Sequence, residues 1–423
     1  MSNDNQSTAL NDSRVSTGFF IKLFIPFGLS FFMSVLLRTI NNVMAPTFIE
    51  TFDMNASALG VMTSAYFISF AAAQIPLGVC LDRYGPNRTL AAFMMFGVVG
   101  CIVFGFAPSV LFLFIGRALV GLGVSGCLMS AYKAFGDWMP KNKLPMYNSC
   151  VLFVGGIGGI VATKPVNAAI GFMSWRTLFF VFAGMIVVIA LLVLFTKRHP
   201  SYLERKNVSA LAELKGTLQI AGTARFWRLA PMAVITQATY IALNSLWIGP
   251  WYKDVAGFPP EVVPNLLLIC SISITIGYIF SGSIATFIKV RFGFNAIKTM
   301  IMTMWVFTAI IALVVVAPGW GQVLWPLFLV LSPFCLLAYP IFISMYDYSL
   351  AGRAQTLFNM IVFIVSTFIQ SGVGWIIDLY PKVEGAGFNP DGYRTALLFI
   401  AAINAASILW CMFYRRSKQE INY

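Results

Sequence analysis

Charge is the scarcest property of this chain. Asp, Glu, Lys and Arg make up 10% of its 423 residues and hydrophobic types 59%, whereas a soluble domain is about a quarter charged and roughly half apolar. Water is therefore excluded as the main solvent. Acid is scarcer still, with 15 Asp and Glu against 28 Lys and Arg. Asp82, Asp137, Asp347 and Asp378 all fall at the ends of apolar runs or in loops, so no proton relay through a carboxylate at mid-membrane is readable. The one histidine, His199, lies in a polar stretch, where a solvated side chain explains it better than a metal ligand, and no metal site is expected. All seven cysteines (Cys80, Cys101, Cys127, Cys150, Cys270, Cys335, Cys411) fall within or at the ends of apolar runs, which implies no disulfide framework. A nucleophile with its base and orienter, or a phosphate-cradling loop, is also missing. The chain is not read as an enzyme, and no cofactor is expected.

What the sequence does have is a series of apolar runs of about 20 residues, enough for helices to cross a hydrocarbon core about 30 Å thick. Expected spans begin near residues 19, 58, 89, 110, 144, 176, 228, 262, 297, 322, 354 and 393. The first, Phe19 to Ile40, is too long for a cleaved signal and lacks its small-residue cleavage pattern, so it reads as a permanent span. The longest interruption, Lys197 to Arg228, carries Glu204, Arg205, Lys206, Glu213 and Lys215 around a short amphipathic stretch. It divides six spans from six. The expected fold class is an all-α membrane protein with 12 transmembrane helices in two pseudo-symmetric six-helix bundles, at 19–196 and 228–413. A cytoplasmic loop at 197–227 joins them, and cytoplasmic tails are expected at 1–18 and 414–423.

The net charge of +13 forms no basic domain, and no nucleic-acid partner is expected. With a cytoplasmic N-terminus, Arg83, Arg88, Lys141, Lys143, the 197–228 stretch, Lys289, Arg291, Lys298, Arg353, Arg415, Arg416 and Lys418 all fall inside, as the positive-inside rule asks. Only Lys253, Lys382 and Arg394 fall in or beside outer loops. Arg38, Arg117, Lys164 and Arg176 lie in or beside spans.

Between spans 2 and 3 the chain reads Gly78-Val-Cys-Leu-Asp82-Arg83-Tyr84-Gly85-Pro86-Asn87-Arg88. Between spans 8 and 9 it reads Val290-Arg291-Phe292-Gly293-Phe294-Asn295. Arg-aromatic-Gly-x-Asn thus occurs once per half at the same place, the trace expected of two six-helix repeats. Val290 stands where the first copy has Asp82. The first copy resembles the signature loop of the major facilitator superfamily, in which glycines permit a tight turn and close helix approach and the acid faces a helix N-terminus across the inner seam. Arg117-Ala-Leu-Val-Gly121-Leu-Gly123 resembles that superfamily's span-4 pattern. Gly155-Gly156-x-Gly158-Gly159 resembles its glycine-rich packing helix in span 5. Trp175-Arg176 is similar to the entry to its span 6. Arg38-Thr39-Ile40-Asn41 and Asp137-Trp138-Met139-Pro140 look like the anion:cation symporter branch, although Val124 stands where those symporters often carry an acid. Trp247-Ile-Gly-Pro250-Trp251-Tyr-Lys-Asp254, placed after span 7, is similar to proteobacterial organic-solute carriers that also resemble lysosomal dipeptide uniporters.

An ionisable group near the bilayer centre costs about 2.5–3.5 kcal/mol on insertion scales, so a span that carries one needs a partner or a wet cavity. Ser30, Ser34, Arg38, Asn42 and Ala45 share one helical face of span 1, with Asn41 beside it. Substrate contact by Arg38 is favoured over snorkelling to the outer surface. For Arg117, substrate contact and a structural hub for backbone carbonyls are balanced. Lys164 is read first as snorkelling. Neutral polar faces follow in the second half: Gln237, Tyr240 and Asn244 in span 7, Ser271, Thr275 and Tyr278 in span 8, and Gln355, Asn359, Ser366 and Gln370 in span 11.

Buried bases without buried acids leave a positive cavity. The function expected is a secondary transporter working by alternating access on a small anionic or zwitterionic solute: an organic acid, an amino acid or a short peptide. Arg38, Asn41, Gln74, Arg117, Tyr240, Asn244, Asn359 and Gln370 are its candidate binding residues, with Lys164 and Tyr278 as further candidates. Gly78, Asp82, Arg83, Gly85 and Arg88 are candidate gating residues. The expected setting is a monomer in a bacterial inner membrane, with a proton as candidate coupling ion. Two alternatives are an efflux pump, for which a cavity acid would be expected, and a non-transporting sensor, for which a long soluble extension would be expected.

Overall fold

In a computed structural model, residues 17–140, 143–200, 210–346, 348–381 and 387–414 are described. Most of the expected tails, together with Lys141, Asp347, Lys382, Arg415, Arg416 and Lys418, lie outside these. Among the described residues there is no strand, and twelve helices are long and apolar enough to cross a membrane. We number them α1 (Ile21–Thr39), α2 (Ala56–Tyr84), α3 (Pro86–Gly105), α4 (Val110–Trp138), α5 (Met146–Ile170), α6 (Trp175–Leu194), α7 (Ala224–Asp254), α8 (Val263–Phe292), α9 (Ala296–Val316), α10 (Pro318–Phe342), α11 (Arg353–Asp378) and α12 (Pro390–Phe413). Their starts follow the apolar runs, and the largest differences are four residues, at Ala224 against 228 and Pro318 against 322.

The helices pair in a repeating pattern. In the first half α1 packs on α5, α2 on α4, α3 on α6 and α3 on α4. Six spans later α7 packs on α11, α8 on α10, α9 on α12 and α9 on α10. Between the halves, the most extensive contact runs along α2 and α11, with its counterpart along α8 and α5. Exchanging the halves maps each of these contacts onto another, as expected of two bundles related by an axis along the membrane normal. Close approach depends on glycine at a few points. A Cβ on Gly123 would lie 2.1 Å from the Gly97 nitrogen, and one on Gly158 would lie 2.3 Å from the Phe32 carbonyl. The expected packing role of the span-5 glycines is thereby given its contact, α5 against α1.

Five spans depart from regular helix, α4 being interrupted at 125–126 and α5 at 162–163. The helix of α1 continues after a break at Ile40 as Asn41–Phe52. The helix of α7 contains a five-residue π segment, Leu243–Trp247, and α10 contains the 3₁₀ segment Ser332–Leu337. The Trp247–Asp254 stretch, expected after span 7, is the last part of α7. Within the stretch expected as the central loop, Ala210–Ala221 is helical and packs on α2 and α11. Just beyond α10, the Tyr346 hydroxyl bonds with Thr223 at 2.7 Å. Burial pushes its pKa up, opposed by that bond and by Arg225.

Because the span number is even, the beginning of α1 and the end of α12 share one side of the molecule, called here the terminal side. The α2–α3 loop lies on this side as well.

Candidate substrate cavity

A cavity of about 230 Å³ lies between the halves. From the first half it is lined by Phe31, Ser34 and Arg38 of α1, Phe70 of α2 and Tyr132 of α4. From the second come Gln237 and Tyr240 of α7, Tyr278 of α8, Tyr339 of α10, and Gln355, Asn359 and Phe363 of α11. Each α-helical face supplies its residues at intervals of three, four or seven, as 3.6 residues per turn requires.

Arg38 is half-buried, and the 12 helical residues Asn41–Phe52 follow it, about 18 Å of further helix at 1.5 Å per residue. That length removes the basis for snorkelling to the opposite side. Among the described residues, Arg38 is the only charged side chain in the cavity lining, and no carboxylate lies within ion-pair distance of it. The phenols of Tyr66, Tyr240 and Tyr278 lie within range of its charge.

Neutral groups of the second half form a continuous chain. Gln237 Nε2 donates to the Tyr339 hydroxyl at 3.2 Å, and that hydroxyl donates to Asn359 Oδ1 at 3.0 Å. Asn359 Nδ2 then crosses to the first half and donates to Gln74 Oε1 at 3.1 Å. Gln74 Nε2 ends the chain on the Phe70 carbonyl at 3.2 Å. Beside it the Phe70 and Phe363 rings stack across the seam with centroids 4.0 Å apart.

Of the expected binding residues, the structure therefore brings Arg38, Tyr240 and Asn359 to the cavity, with Tyr278, and places Gln74 one hydrogen bond behind Asn359. The others lie elsewhere. Arg117 is fully buried, donates to the Leu37 carbonyl at 2.7 Å and sits over the Tyr66 and Phe104 rings. It fastens α4 to α1 beside Arg38 without lining the cavity. Asn41 donates to Thr63 of α2 at 2.8 Å. Gln370 is held by Ser245 and carries the Trp247 indole on its carbonyl. Asn244 offers its carbonyl to Asn42. Lys164 is exposed at the start of the Lys164–Ile170 helix. Tyr132 and Tyr339 line the cavity but were not singled out from sequence, where a tyrosine in an apolar span carries no charge to mark it.

The halves are fastened on the side opposite the termini. Asp378 at the end of α11 accepts the Ala56 and Ser57 amides at 3.1 and 2.8 Å, capping α2. Asn42 donates to the Asn244 carbonyl and accepts the Gly249 amide at 2.8 Å. Helical offset accounts for this clamp: the π segment interrupts the regular ladder between those two residues. A separate cavity of about 780 Å³ on this side is lined by Asn42, Glu50, Asp53, Lys253 and Asp254, among others.

On the terminal side, Gly85 ends α2 with φ 81°, a conformation that favours glycine, and Gly293 ends α8 with φ 69°. The repeated motif thus has a shared backbone cause. Two expectations for this loop are corrected. A Cβ on Gly78 would meet nothing within 4 Å, so no helix approaches it closely. Asp82 pairs with Lys133 of α4 in its own half and not with a helix N-terminus across the seam, because α2 and α4 pack side by side. Arg83 lies over the Tyr84 ring and is exposed, as is Arg88.

Twelve spans in two repeats, with a cavity at their seam, define a two-halved membrane protein of the carrier type. Residues 27–370 match the sequence profile of the Major Facilitator Superfamily, and the chain belongs to that family. It is 28% identical over 242 residues to the "Probable sulfoacetate transporter SauU" of Cupriavidus necator, covering 54% of this chain and 56% of that one. It is 27% identical over 198 residues to the "Efflux pump aflT" of Aspergillus parasiticus, covering 47% and 38%. The chain spans about half the length, or less, of these relatives. Among solved structures it is similar to a bacterial homolog of the human lysosomal transporter Spinster, inward-facing and unoccupied, with a TM-score of 0.74 at 17% identity over 94% of this chain and 97% of that one. The nucleoside transporter NupG gives a TM-score of 0.74 at 16% identity, over 94% and 100%. These likenesses concern the fold.

Proposed function

We propose that the protein is a secondary transporter that carries a small organic anion by alternating access. The observation that carries this reading is Arg38: a lone cation in a cavity between the halves, with no acid in the lining. A guanidinium held there recognises a carboxylate or sulfonate by paired N–H donors, and removal from bulk water strengthens the attraction. Asn359 and Gln74, bonded across the seam, would part and re-form as the halves rock. With the terminal side in the cytoplasm, the Asp378 and Asn42 contacts close the outer side. The cell inner membrane, a monomeric state and a proton as coupling ion belong to the same proposal.

Export is a second reading, favoured by the efflux-pump relative and by the aromatic share of the cavity wall. Direction is read by loading proteoliposomes of known protein orientation with a labelled monocarboxylate and following influx and efflux under imposed pH gradients. Saturable flux that no monocarboxylate, dicarboxylate or sulfonate competes with would defeat the organic-anion reading.

A further inference from the structure

The cavity wall narrows the class of anion. Seven of its lining residues are aromatic, Phe31, Phe70, Tyr132, Tyr240, Tyr278, Tyr339 and Phe363, and they come from seven different spans. Rings arriving from both halves favour a flat ligand with a π-face. At about 230 Å³ the space is below the roughly 300–1,000 Å³ of pockets for drug-sized ligands, which fits a single ring with short substituents. One cation and no acid set the ligand charge at minus one. A second anionic group would be desolvated without a partner, and so would a free ammonium.

The hydrogen-bond chain adds a further constraint, because it has a direction. Each link from Gln237 through Tyr339 and Asn359 to Gln74 engages one N–H or O–H with the next acceptor. One acceptor is left over at its near end: Gln237 lines the cavity, is 4% exposed, and its Oε1 has no partner. A buried acceptor left unmade is costly, so the missing group is a donor. Arg38 on the first half and Gln237 on the second then read different ends of one molecule.

We propose, building on the organic-anion reading above, that the substrate is an aromatic monocarboxylate bearing a hydroxyl or other N–H or O–H donor, of the hydroxybenzoate kind. The carboxylate meets Arg38, the ring lies among the tyrosines and phenylalanines, and the donor completes Gln237.

The test is calorimetric titration of the full chain in lipid nanodiscs with 4-hydroxybenzoate, 4-methoxybenzoate, benzoate, cyclohexanecarboxylate and succinate. 4-Hydroxybenzoate is expected to bind about tenfold more tightly than either benzoate or the methyl ether, which lacks the donor. Benzoate is expected to exceed cyclohexanecarboxylate about fivefold, with succinate weakest. Gln237→Leu is expected to reduce 4-hydroxybenzoate to the affinity of benzoate, and the methyl ether reads the same donor without any variant. Equal binding of 4-hydroxybenzoate and 4-methoxybenzoate, or tighter binding of cyclohexanecarboxylate or succinate, overturns the aromatic-donor assignment while leaving anion carriage intact. Binding of these acids that is unchanged by Arg38→Gln overturns the organic-anion reading itself.

Discussion

The two halves share a fold, but they anchor the same loop differently. In the first copy Gly85 turns the chain, Asp82 holds Lys133 of α4, and Asn87 donates to the Val193 and Thr196 carbonyls at the end of α6. One loop there ties together α2, α4 and α6. In the second copy Gly293 also turns at positive φ, Val290 is 82% exposed, and Asn295 caps its own helix, accepting the Lys298 amide at 2.9 Å. A glycine at positive φ is kept in both copies, whereas the acid that pairs with a base on a neighbouring helix is present in the first alone. A similar division marks the cavity, where Arg38 comes from the first half and the chain of amides mainly from the second. One half therefore supplies charge and the other supplies hydrogen-bond pattern.

This comparison can be broken at several points. The largest effect is expected at Gly123, where an added methyl would collide with the Gly97 backbone. Gly123→Ala should cost about 3 kcal/mol or more and prevent recovery of folded protein by size exclusion, whereas Gly282→Ala in the second half, with open space around it, should melt like the parent. Next is Asn42→Ala, which removes two bonds to α7. At about 0.5–1.5 kcal/mol each, their loss should increase labelling of a cysteine placed at Ser64 by an impermeant thiol reagent by roughly five- to a hundredfold. Unchanged labelling would show that the Asn42 clamp does not hold that side shut. Gly85→Ala, at φ 81° and ψ 168°, should cost about 3 kcal/mol, and Gly293→Ala, in the left-handed helical region, about 1–2 kcal/mol, as read from thermal melts. The smallest effect is the Asp82–Lys133 pair. Both side chains are partly exposed, at 37% and 24%, so a double-mutant cycle should give under about 1 kcal/mol. Introducing Asp at Val290 should give nothing measurable.

Much of the architecture was legible because lipid imposes a simple requirement. A helix facing hydrocarbon must be apolar for about 20 residues, and runs of that kind gave the span count and approximate bounds. The end of α7 escaped this logic. The apolar stretch of α7 is 83% buried within the protein, against 39–61% for the other spans. A span surrounded by protein can carry Ser245, Lys253 and Asp254 without paying the lipid penalty, so Trp247–Asp254 reads as a loop. Arg228 shows the same effect at the other end: it is 8% exposed inside α7.

The site was legible where a residue was anomalous. Arg38 stood out because charge in a span demands a reason, and Asn359 did so as part of a polar stripe. Arg117 was equally anomalous, yet its guanidinium is buried against the Leu37 carbonyl and two rings, with Nε and Nη2 left without a hydrogen-bond partner, and only contacts can separate the two cases. Gln370 shares a helical face with Asn359 but lies 11 residues further along, about 16 Å by helical rise, where the same face meets Ser245 and Trp247 in place of the cavity. Periodicity gives the face of a helix and not the depth at which that face opens. Of the seven-ring wall only Tyr240 and Tyr278 were marked in sequence, as parts of polar stripes, because its members are single residues on seven spans.

The most direct test of the central claim is counterflow of labelled benzoate and 4-hydroxybenzoate in proteoliposomes containing the parent chain, Arg38→Gln or Arg38→Lys. The account predicts saturable uptake by the parent, a loss of tenfold or more in kcat/KM with Arg38→Gln, and partial retention with Arg38→Lys, since hydrogen bonds to a charged group contribute about 1.5–3 kcal/mol and lysine keeps the charge but not the fork. Saturable uptake by Arg38→Gln equal to that of the parent would contradict it.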